Sequence, residues 1–277
     1  MTPPLLRPLV RAKLALEWAL SHPALGRIAG AALRNKLTIQ GCTIDVSGDL
    51  VSDAAKAAIF TGLYEKNELK FVGRHLPPDL DAVEFGSSLG VVACRIARRL
   101  SPGRRLFGVE ANGRLLERAR ANLARNAPGI QALLVLGAID YGSDGPDVAF
   151  TVESGHLGSH LAHPGAAGGT TVRVPRVTLQ GLLSAHGIGG YSLVCDIEGA
   201  ESGLILHERA ALERCCFLVI ELHDDPHGGP LPGIEDKRRA LLDQGFVEVA
   251  RSGLGGRGPV LAMSRSAPEA PSTGGQP

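Results

Sequence analysis

The sequence predicts a doubly wound α/β domain, built on a mostly parallel sheet with helices on both faces. From residue 81 onward, short apolar strands alternate with amphipathic helices. Strands such as YSLVCD (191–196) and CCFLVIELH (215–223) consist mostly of consecutive apolar residues, which is typical of parallel strands buried on both faces. The segments FVEVARSG and GPVLAMSR are expected to pair as a closing hairpin, which adds one antiparallel strand.

The elements of this domain follow one another in a regular order. DAVEF is the first strand, and the turn GSSLG leads into the first helix. RRLFGVE and IQALLVLGAI are the second and third strands, with the helix GRLLERARANLARN between them. The stretch 140–178 is rich in glycine and serine and is expected to be a loop or a small β insertion. Two further helix–strand repeats and the helix EDKRRALLDQG precede the hairpin.

Residues 1–60 are predicted to form an N-terminal extension of helices and a short hairpin, residues 61–265 the main domain, and residues 266–277 a disordered tail. The helices break near Pro23, and the hairpin is expected to turn at SGD (47–49). The N-terminal helices are rich in arginine and lysine, so they could touch a membrane surface. We expect them instead to pack on the main domain or on a second subunit, as in a homodimer.

The composition argues against several classes of function. The 277 residues carry a formal net charge of +1, which gives no general reason to expect nucleic-acid or membrane binding. Aromatic residues make up 4% of the chain, too few for the stacking platforms that bind single-stranded nucleic acid. The five cysteines contain no CxxC motif and are expected to be core residues in a reducing compartment. Since the N-terminus has no long apolar run, we expect no transmembrane segment and a cytoplasmic location.

A nucleotide site is predicted where the first strand ends, in VEFGSSLG (83–90), because open α/β sheets bind ligands at the carboxyl ends of their strands. The turn offers glycines for tight geometry and hydroxyls for binding: Gly86, Gly90, Ser87 and Ser88. Glu110 ends the second strand, where a carboxylate can accept hydrogen bonds from both hydroxyls of a ribose.

The spacing of the glycines distinguishes between two cofactors. Dinucleotide folds prefer G-x-G-x-x-G, whereas this chain has E-x-G-x-x-x-G with Glu84 in front of the loop. A carboxylate there would repel a pyrophosphate and suits a ligand with an ammonium group, such as S-adenosylmethionine. The simpler alternative is that Glu84 and Glu110 are only strand-end acids.

The sequence resembles the FkbM family of S-adenosylmethionine-dependent methyltransferases in five successive segments: VEFGSSLGVVA, GVEAN, LGAID, LVCDIEGAE and VIELH. The resemblance covers roughly residues 60–250, and DIEGAE is its most specific element. It implies a Rossmann-like sheet of seven strands and methyl transfer, commonly to a hydroxyl oxygen. The chain departs from the family at Gln180, where the family often has an acid, so no role is carried over to that position.

The resemblance also implies which positions contact the cofactor, S-adenosyl-L-methionine. Glu84 would lie near the methionine ammonium, acting through water or the backbone, Glu110 would hold the ribose, and Ala138 and Ile139 would border the adenine. The full expected set is Glu84, Gly86, Ser87, Ser88, Gly90, Glu110, Ala111, Ala138, Ile139 and Asp196.

Catalytic groups are expected where two neighbouring central strands end. Asp196 is the first residue after its strand and would lie closest to the reacting methyl group. Glu198 and Glu201 follow at the start of a helix, where the dipole favours acids by about 0.3–1 kcal/mol each, and Glu201 in particular is expected to be structural. Methylating an alcohol requires removal of its proton, for which His223 is a plausible base, with Glu221 orienting it or the substrate.

Divalent metals offer another way to remove the proton. Asp196, Glu221, Asp224 and Asp225 are hard oxygen ligands that could hold one, although this alternative is not favoured. His156, His160 and His163 also have a spacing that suggests metal binding, but the glycine-rich stretch around them favours a loop, such as a substrate lid.

The function expected from the sequence is therefore O-methylation of a hydroxyl on a small molecule, a sugar or a lipid-linked glycan, without nucleic acid as a partner. Two alternatives stay open: a non-catalytic protein that binds an adenosyl ligand, and a nicotinamide-dependent oxidoreductase, for which the glycine spacing is wrong.

Overall fold

The computed structural model describes residues 16–152, 160–161, 169–225, 229–252 and 258–265. The helices, after a first helical stretch over 16–20, are α1 (Pro23–Ala32), α2 (Asp53–Thr61), α3 (Lys66–His75), α4 (Val91–Ala97), α5 (Gly113–Asn126), α6 (Leu179–Ala185), α7 (Glu201–His207), α8 (Arg209–Leu212) and α9 (Ile234–Asp243). The strands are β1 (Lys36–Ile39), β2 (Cys42–Asp45), β3 (Asp81–Phe85), β4 (Arg105–Glu110), β5 (Gln131–Leu136), β6 (Ala138–Ile139), β7 (Asp147–Val152), β8 (His160–Leu161), β9 (Thr170–Val177), β10 (Tyr191–Cys195), β11 (Cys215–Glu221), β12 (Val247–Arg251) and β13 (Val260–Ser264). Within these ranges, none of the helices combines the length and the apolar character needed to cross a membrane.

A seven-stranded sheet in the order β12-β13-β11-β10-β3-β4-β5 organises the fold. Its strands run parallel except β13, which is antiparallel to both of its neighbours. The predicted doubly wound sheet with one antiparallel strand from a C-terminal hairpin is therefore confirmed.

The sheet is covered on both faces because its central strands are apolar on both faces. Along β3, Val83 and Phe85 belong to one core cluster and Ala82 belongs to the other. All five residues of β10 are buried, and burying each large apolar side chain contributes about 1.5–3 kcal/mol. The five cysteines are also buried, and none forms a disulfide, as their apolar surroundings predict.

The N-terminal hairpin forms, but its predicted turn at residues 47–49 is wrong. Ile39 pairs with Cys42, so β1 and β2 are joined by Gln40 and Gly41 alone. These two residues have φ of 48° and 78°, and positive φ at both positions matches the twist of the strands they join. Residues 47–49 follow the hairpin as a bend, in which the Ser47 amide donates to the Asp45 carboxylate over 3.0 Å.

The segment predicted as the third strand divides into two strands at Gly137. β5 completes the large sheet, whereas β6 pairs with β9 in a four-stranded sheet of order β6-β9-β7-β8. The division depends on Gly137, because a Cβ there would lie 2.5 Å from Val177 Cγ2 and 3.0 Å from the Pro175 carbonyl oxygen. The described part of the stretch 140–178 thus forms a β insertion, and β6 lies beside the end of β4.

Candidate active site

A cavity of about 510 Å³ opens at the carboxyl ends of β3, β4 and β10. That volume is in the range of small-molecule sites. Its lining includes Tyr64, Glu65, Glu68, Gly86, Ser88, Glu110, Ala111, Ala138, Ile139, Asp196, Glu198 and Glu221. Of the predicted cofactor contacts, Glu84, Ser87 and Gly90 are not part of this lining.

The two glycines of the loop bring protein elements together. Gly86 has φ of +85°, and a Cβ there would lie 1.9 Å from the Asp196 carbonyl oxygen, so this glycine lets the ends of β3 and β10 meet. Gly90 has φ of +76°, and a Cβ there would lie 2.9 Å from Ala119 Cα on α5. The close approach at Gly90 is therefore between the loop and a helix.

Glu110 links the glycine loop to the end of β4. Its Oε2 accepts a hydrogen bond from the Ser88 amide and its Oε1 accepts one from the Asn112 amide, each over 2.7 Å. Burial raises the pKa of Glu110, while these backbone N–H groups act in the opposite direction. Since a carboxylate has about four acceptor positions, each oxygen keeps one that a ligand in the cavity can use.

Glu84 lies beneath the loop, near the side chain of Ser87. It is 2% exposed, and its Oε2 has no hydrogen-bond partner among the described residues. Burial raises the pKa of Glu84 to about 7, opposed by Ser87 and reinforced by the charge of Glu110. A contact between Glu84 and a ligand in the cavity would therefore be indirect.

At the other end of the cavity, β10 and β11 bring Asp196, Glu221 and His223 together, of which Asp196 and Glu221 line the cavity and His223 does not. One ligand-type atom from each of the three lies within 4.8 Å of the others. His223 Nε2 is 3.8 Å from Glu221 Oε1 and 3.5 Å from Glu198 Oε2. Asp196 Oδ1 and His223 Nε2 are buried without a hydrogen-bond partner in the described part of the chain.

This cluster is electrostatically coupled. Burial, and then the neighbouring Glu198, raise the pKa of Asp196 to about 7, and burial together with Asp196 and Glu68 raises the pKa of Glu221 to about 8. Burial alone would lower the pKa of His223, but its hydrogen bond to Glu201 and the surrounding carboxylates raise it to about 9. The imidazolium form is thus stabilised by the acids around it.

Glu201, rather than Glu221, orients the imidazole. Its Oε1 lies 3.0 Å from His223 Nδ1 and also accepts a hydrogen bond from the Gly199 amide over 2.9 Å. Glu201 is the first residue of α7, as its structural interpretation predicts, and it is fully buried. Its contact with His223 adds a role that the sequence did not indicate.

The two aspartates after His223 point elsewhere. Asp224 Oδ1 accepts a hydrogen bond from the Ile234 amide at the start of α9, and Asp225 Oδ2 accepts one from the Gly229 amide. The four-carboxylate metal set considered from the sequence is therefore not assembled, and the set that forms contains His223 instead. The proposal on His156, His160 and His163 concerns side chains outside the described residues.

Several residues of the site were missed by sequence reasoning. Tyr64 donates to or accepts from Ser88 Oγ over 3.2 Å, and Glu65 and Glu68 add carboxylates to the cavity wall. Lys237 is fully buried, and its ammonium group donates to the His223 carbonyl oxygen. The segment YEKNEL has apolar positions at helical spacing and predicts a helix, but that spacing does not reveal that Glu68 is only 6% exposed.

The sheet order, the single antiparallel strand and the position of the cavity define a Rossmann-like α/β domain with the seven-stranded arrangement expected of methyltransferases. No family model matches the chain, and no curated protein matches it.

Solved structures with a similar overall arrangement include several methyltransferases. The fibrillarin of Aeropyrum pernix, in complex with S-adenosyl-L-methionine, aligns with a TM-score of 0.40 at 12% identity, over 72% of this chain and 74% of its own. The ribosomal protein L11 methylase of Lactobacillus delbrueckii subsp. bulgaricus gives 0.42 at 13% identity, over 74% and 79%. TrmK of M. capricolum, in complex with S-adenosyl-homocysteine, gives 0.43 at 7% identity, over 72% and 68%.

Proposed function

We propose that the protein is an S-adenosylmethionine-dependent methyltransferase that methylates a hydroxyl oxygen. The observation that carries the proposal is one cavity with Glu110 at one end and the Asp196 cluster at the other. The strand-end acid is suited to a ribose, and the cluster is suited to proton removal. The resemblance to the FkbM family supports the same assignment.

The residues around Glu110 fit an adenosyl group. Glu110 has acceptor positions left for the two ribose hydroxyls after its two backbone hydrogen bonds. Ala111, Ala138 and Ile139 also line the cavity, and they give an apolar wall for a purine. The small side chains of Ala111 and Ala138 leave room for the purine ring.

When bound, the cofactor supplies an electrophilic methyl group, whose bond to sulfur breaks as a bond to the acceptor oxygen forms. Asp196 lies at the end of the central strand β10, where the acceptor hydroxyl would approach. The hydroxyl proton has to leave, and Glu221 and His223 are the groups beside Asp196 that can receive it. The acceptor class we propose is a hydroxylated small molecule, a sugar or a lipid-linked glycan.

A calorimetric titration with S-adenosylhomocysteine, with NAD as the comparison ligand, tests the cofactor assignment. We expect S-adenosylhomocysteine alone to bind. Glu110→Ala should weaken it at least tenfold, since a hydrogen bond to a charged group is worth about 1.5–3 kcal/mol. Glu117→Ala is the matched control, because Glu117 lies on α5, the helix that follows β4, and its side chain is 70% exposed.

Unfolding of both variants must be followed by circular dichroism, because Glu110 also holds the glycine loop. Unchanged binding in a folded Glu110→Ala protein would contradict the site assignment. Binding of NAD alone would favour the oxidoreductase alternative.

A further inference from the structure

We propose that Asp196, Glu221 and His223 form a binding site for one divalent cation of the Mn²⁺ or Mg²⁺ type, which also binds the acceptor hydroxyl. The inference rests on the proposed function for the identity of the acceptor, but the cation site itself is argued from the geometry alone. It differs from the set considered from the sequence, because an imidazole replaces two aspartates.

The first argument is the spacing of the three side chains. A cation with bonds of about 2.0–2.2 Å to each ligand needs donor atoms within about 4.4 Å of one another. The atoms of this cluster lie within 4.8 Å, and His223 Nε2 is 3.8 Å from Glu221 Oε1. Only small side-chain movements separate this arrangement from a coordinated one.

The second argument is that the cluster has unused donor atoms that are shielded from solvent. Asp196 Oδ1 and His223 Nε2 are buried and have no hydrogen-bond partner among the described residues, and Glu221 is 9% exposed. Buried polar atoms without partners are unfavourable, because they have given up their hydrogen bonds to water. A cation bound by these atoms would remove that cost.

The third argument is the way His223 is held. Glu201, which is fully buried, lies 3.0 Å from Nδ1 and therefore leaves Nε2 facing Glu198 and Glu221, at 3.5 and 3.8 Å. A carboxylate on the far nitrogen of an imidazole is the usual support for a metal-binding histidine. The ammonium group of Lys237 donates to the His223 carbonyl oxygen and fixes the backbone as well.

The fourth argument is the balance of charge. His223 has Glu198, Glu201 and Glu221 within 3.8 Å, and Asp196 completes the cluster. When all four carboxylates are ionised, an imidazolium offsets at most one of their negative charges. A divalent cation offsets more of their repulsion, and carboxylates with one imidazole are a donor set that Mn²⁺ accepts.

The site has a chemical use in methyl transfer. A divalent cation bound here would lower the pKa of a hydroxyl that it binds, so that the proton could pass to a water molecule in the cavity. The oxygen then attacks the methyl group while the sulfur keeps the electron pair of the broken bond. In this arrangement His223 would be a ligand, and the cation would act as a Lewis acid that makes the hydroxyl proton easier to remove.

Titration of the metal-stripped, full-length protein with Mn²⁺, followed by electron paramagnetic resonance without cofactor, tests the proposal. We expect one Mn²⁺ per chain and at least tenfold weaker binding in Asp196→Asn, Glu221→Gln and His223→Gln. Glu201→Gln should weaken binding about 10–100-fold by loosening the imidazole. Asp224→Asn is the control, because that side chain accepts a hydrogen bond at the start of α9.

The outcomes separate this proposal from the proposed function. Binding of S-adenosylhomocysteine without binding of Mn²⁺ would overturn the cation site and leave the methyltransferase assignment intact. Mn²⁺ binding that is equally strong in all four site variants would place the ion elsewhere and overturn the proposal. Mn²⁺ binding that depends on these residues supports the site, even if S-adenosylhomocysteine does not bind and the proposed function fails.

Discussion

At the residue scale, Glu84 sets a dependence of stability on pH. Its carboxyl group is buried beneath the glycine loop, and its pKa is raised from 4.5 to about 7 in the folded protein. An acid whose pKa is higher in the folded state makes its full contribution to the free energy of unfolding below its unfolded pKa, here about 4.5. This contribution is lost as the pH rises through about 7, because the folded protein must then hold a buried charge.

We therefore expect Glu84→Gln to raise the free energy of unfolding at pH 8, by up to about 3 kcal/mol, and to change it little at pH 4.5. Urea unfolding of both proteins at the two pH values measures the difference. Glu117→Gln serves as the control, since that side chain is 70% exposed and its effect should not vary in this way. An equal effect of Glu84→Gln at both pH values would contradict the buried-charge explanation.

Residues that end a strand were predictable, whereas contacts between distant segments were not. Glu110 and Asp196 could be placed from sequence because each stands at the carboxyl end of an apolar strand of the parallel sheet, Glu110 as its last residue and Asp196 as the residue after it. The pairing of Glu201 with His223 depends on how α7 packs beside the end of β11, and no sequence period reports that distance. Lys237 was missed for a similar reason. Its buried ammonium group donates to the carbonyl oxygen of His223, which lies on a different element.

At the scale of single elements, the N-terminal hairpin shows how a short turn can be misplaced. The sequence SGD has typical turn residues, but the strands pair so that Gln40 and Gly41 form the connection. Two-residue turns with positive φ at both positions favour Asn-Gly, because Asn and Gly tolerate that region better than other residues. The hairpin thus places glutamine where its backbone is strained.

We expect Gln40→Asn to stabilise the protein by about 0.5 kcal/mol, seen as a higher midpoint of urea unfolding. Gly41→Ala should act in the opposite direction, because φ of 78° is costly for alanine while its Cβ would meet only the Arg98 side chain at 3.7 Å. A destabilising Gln40→Asn would mean that the glutamine side chain makes a contribution that the turn geometry does not reveal.

At the scale of the whole molecule, the large sheet was predictable because the pattern of apolar residues indicates alternating strands and helices. The boundaries between this sheet and the N-terminal extension or the β insertion were not predictable. The division of the third strand at Gly137 follows from contacts with Val177 and Pro175, which come from a distant part of the chain. Likewise, residues 1–60 were predicted as an extension, and yet the described part of that extension contributes Leu37 and Ile44 to the same core cluster as Leu89 and Leu106.

Hydrogen bonds from α5 tie the hairpin to the main domain. The Asn126 side chain accepts from the Thr43 amide over 2.8 Å and donates to the Thr43 carbonyl oxygen over 2.9 Å. The fully buried Asn122 accepts from the Asp45 amide over 2.8 Å and donates to the Leu89 carbonyl oxygen over 3.0 Å. Side chains of α5 thus bond to the backbone of the edge strand β2, as the backbone of a neighbouring strand would do.

Because of these bonds, we expect the amides of β1 and β2 to exchange hydrogen with the same free energy of opening as those of β3 and β10, through unfolding of the whole molecule. Native-state hydrogen exchange at increasing urea measures this directly. Asn122→Ala should separate the two groups, because it leaves the Asp45 amide without its acceptor, at a cost of about 1–3 kcal/mol, and the hairpin would then open first. Fast, independent exchange of the hairpin in the unaltered protein would show that the hairpin is a separate unit. The candidate active site would then form without it.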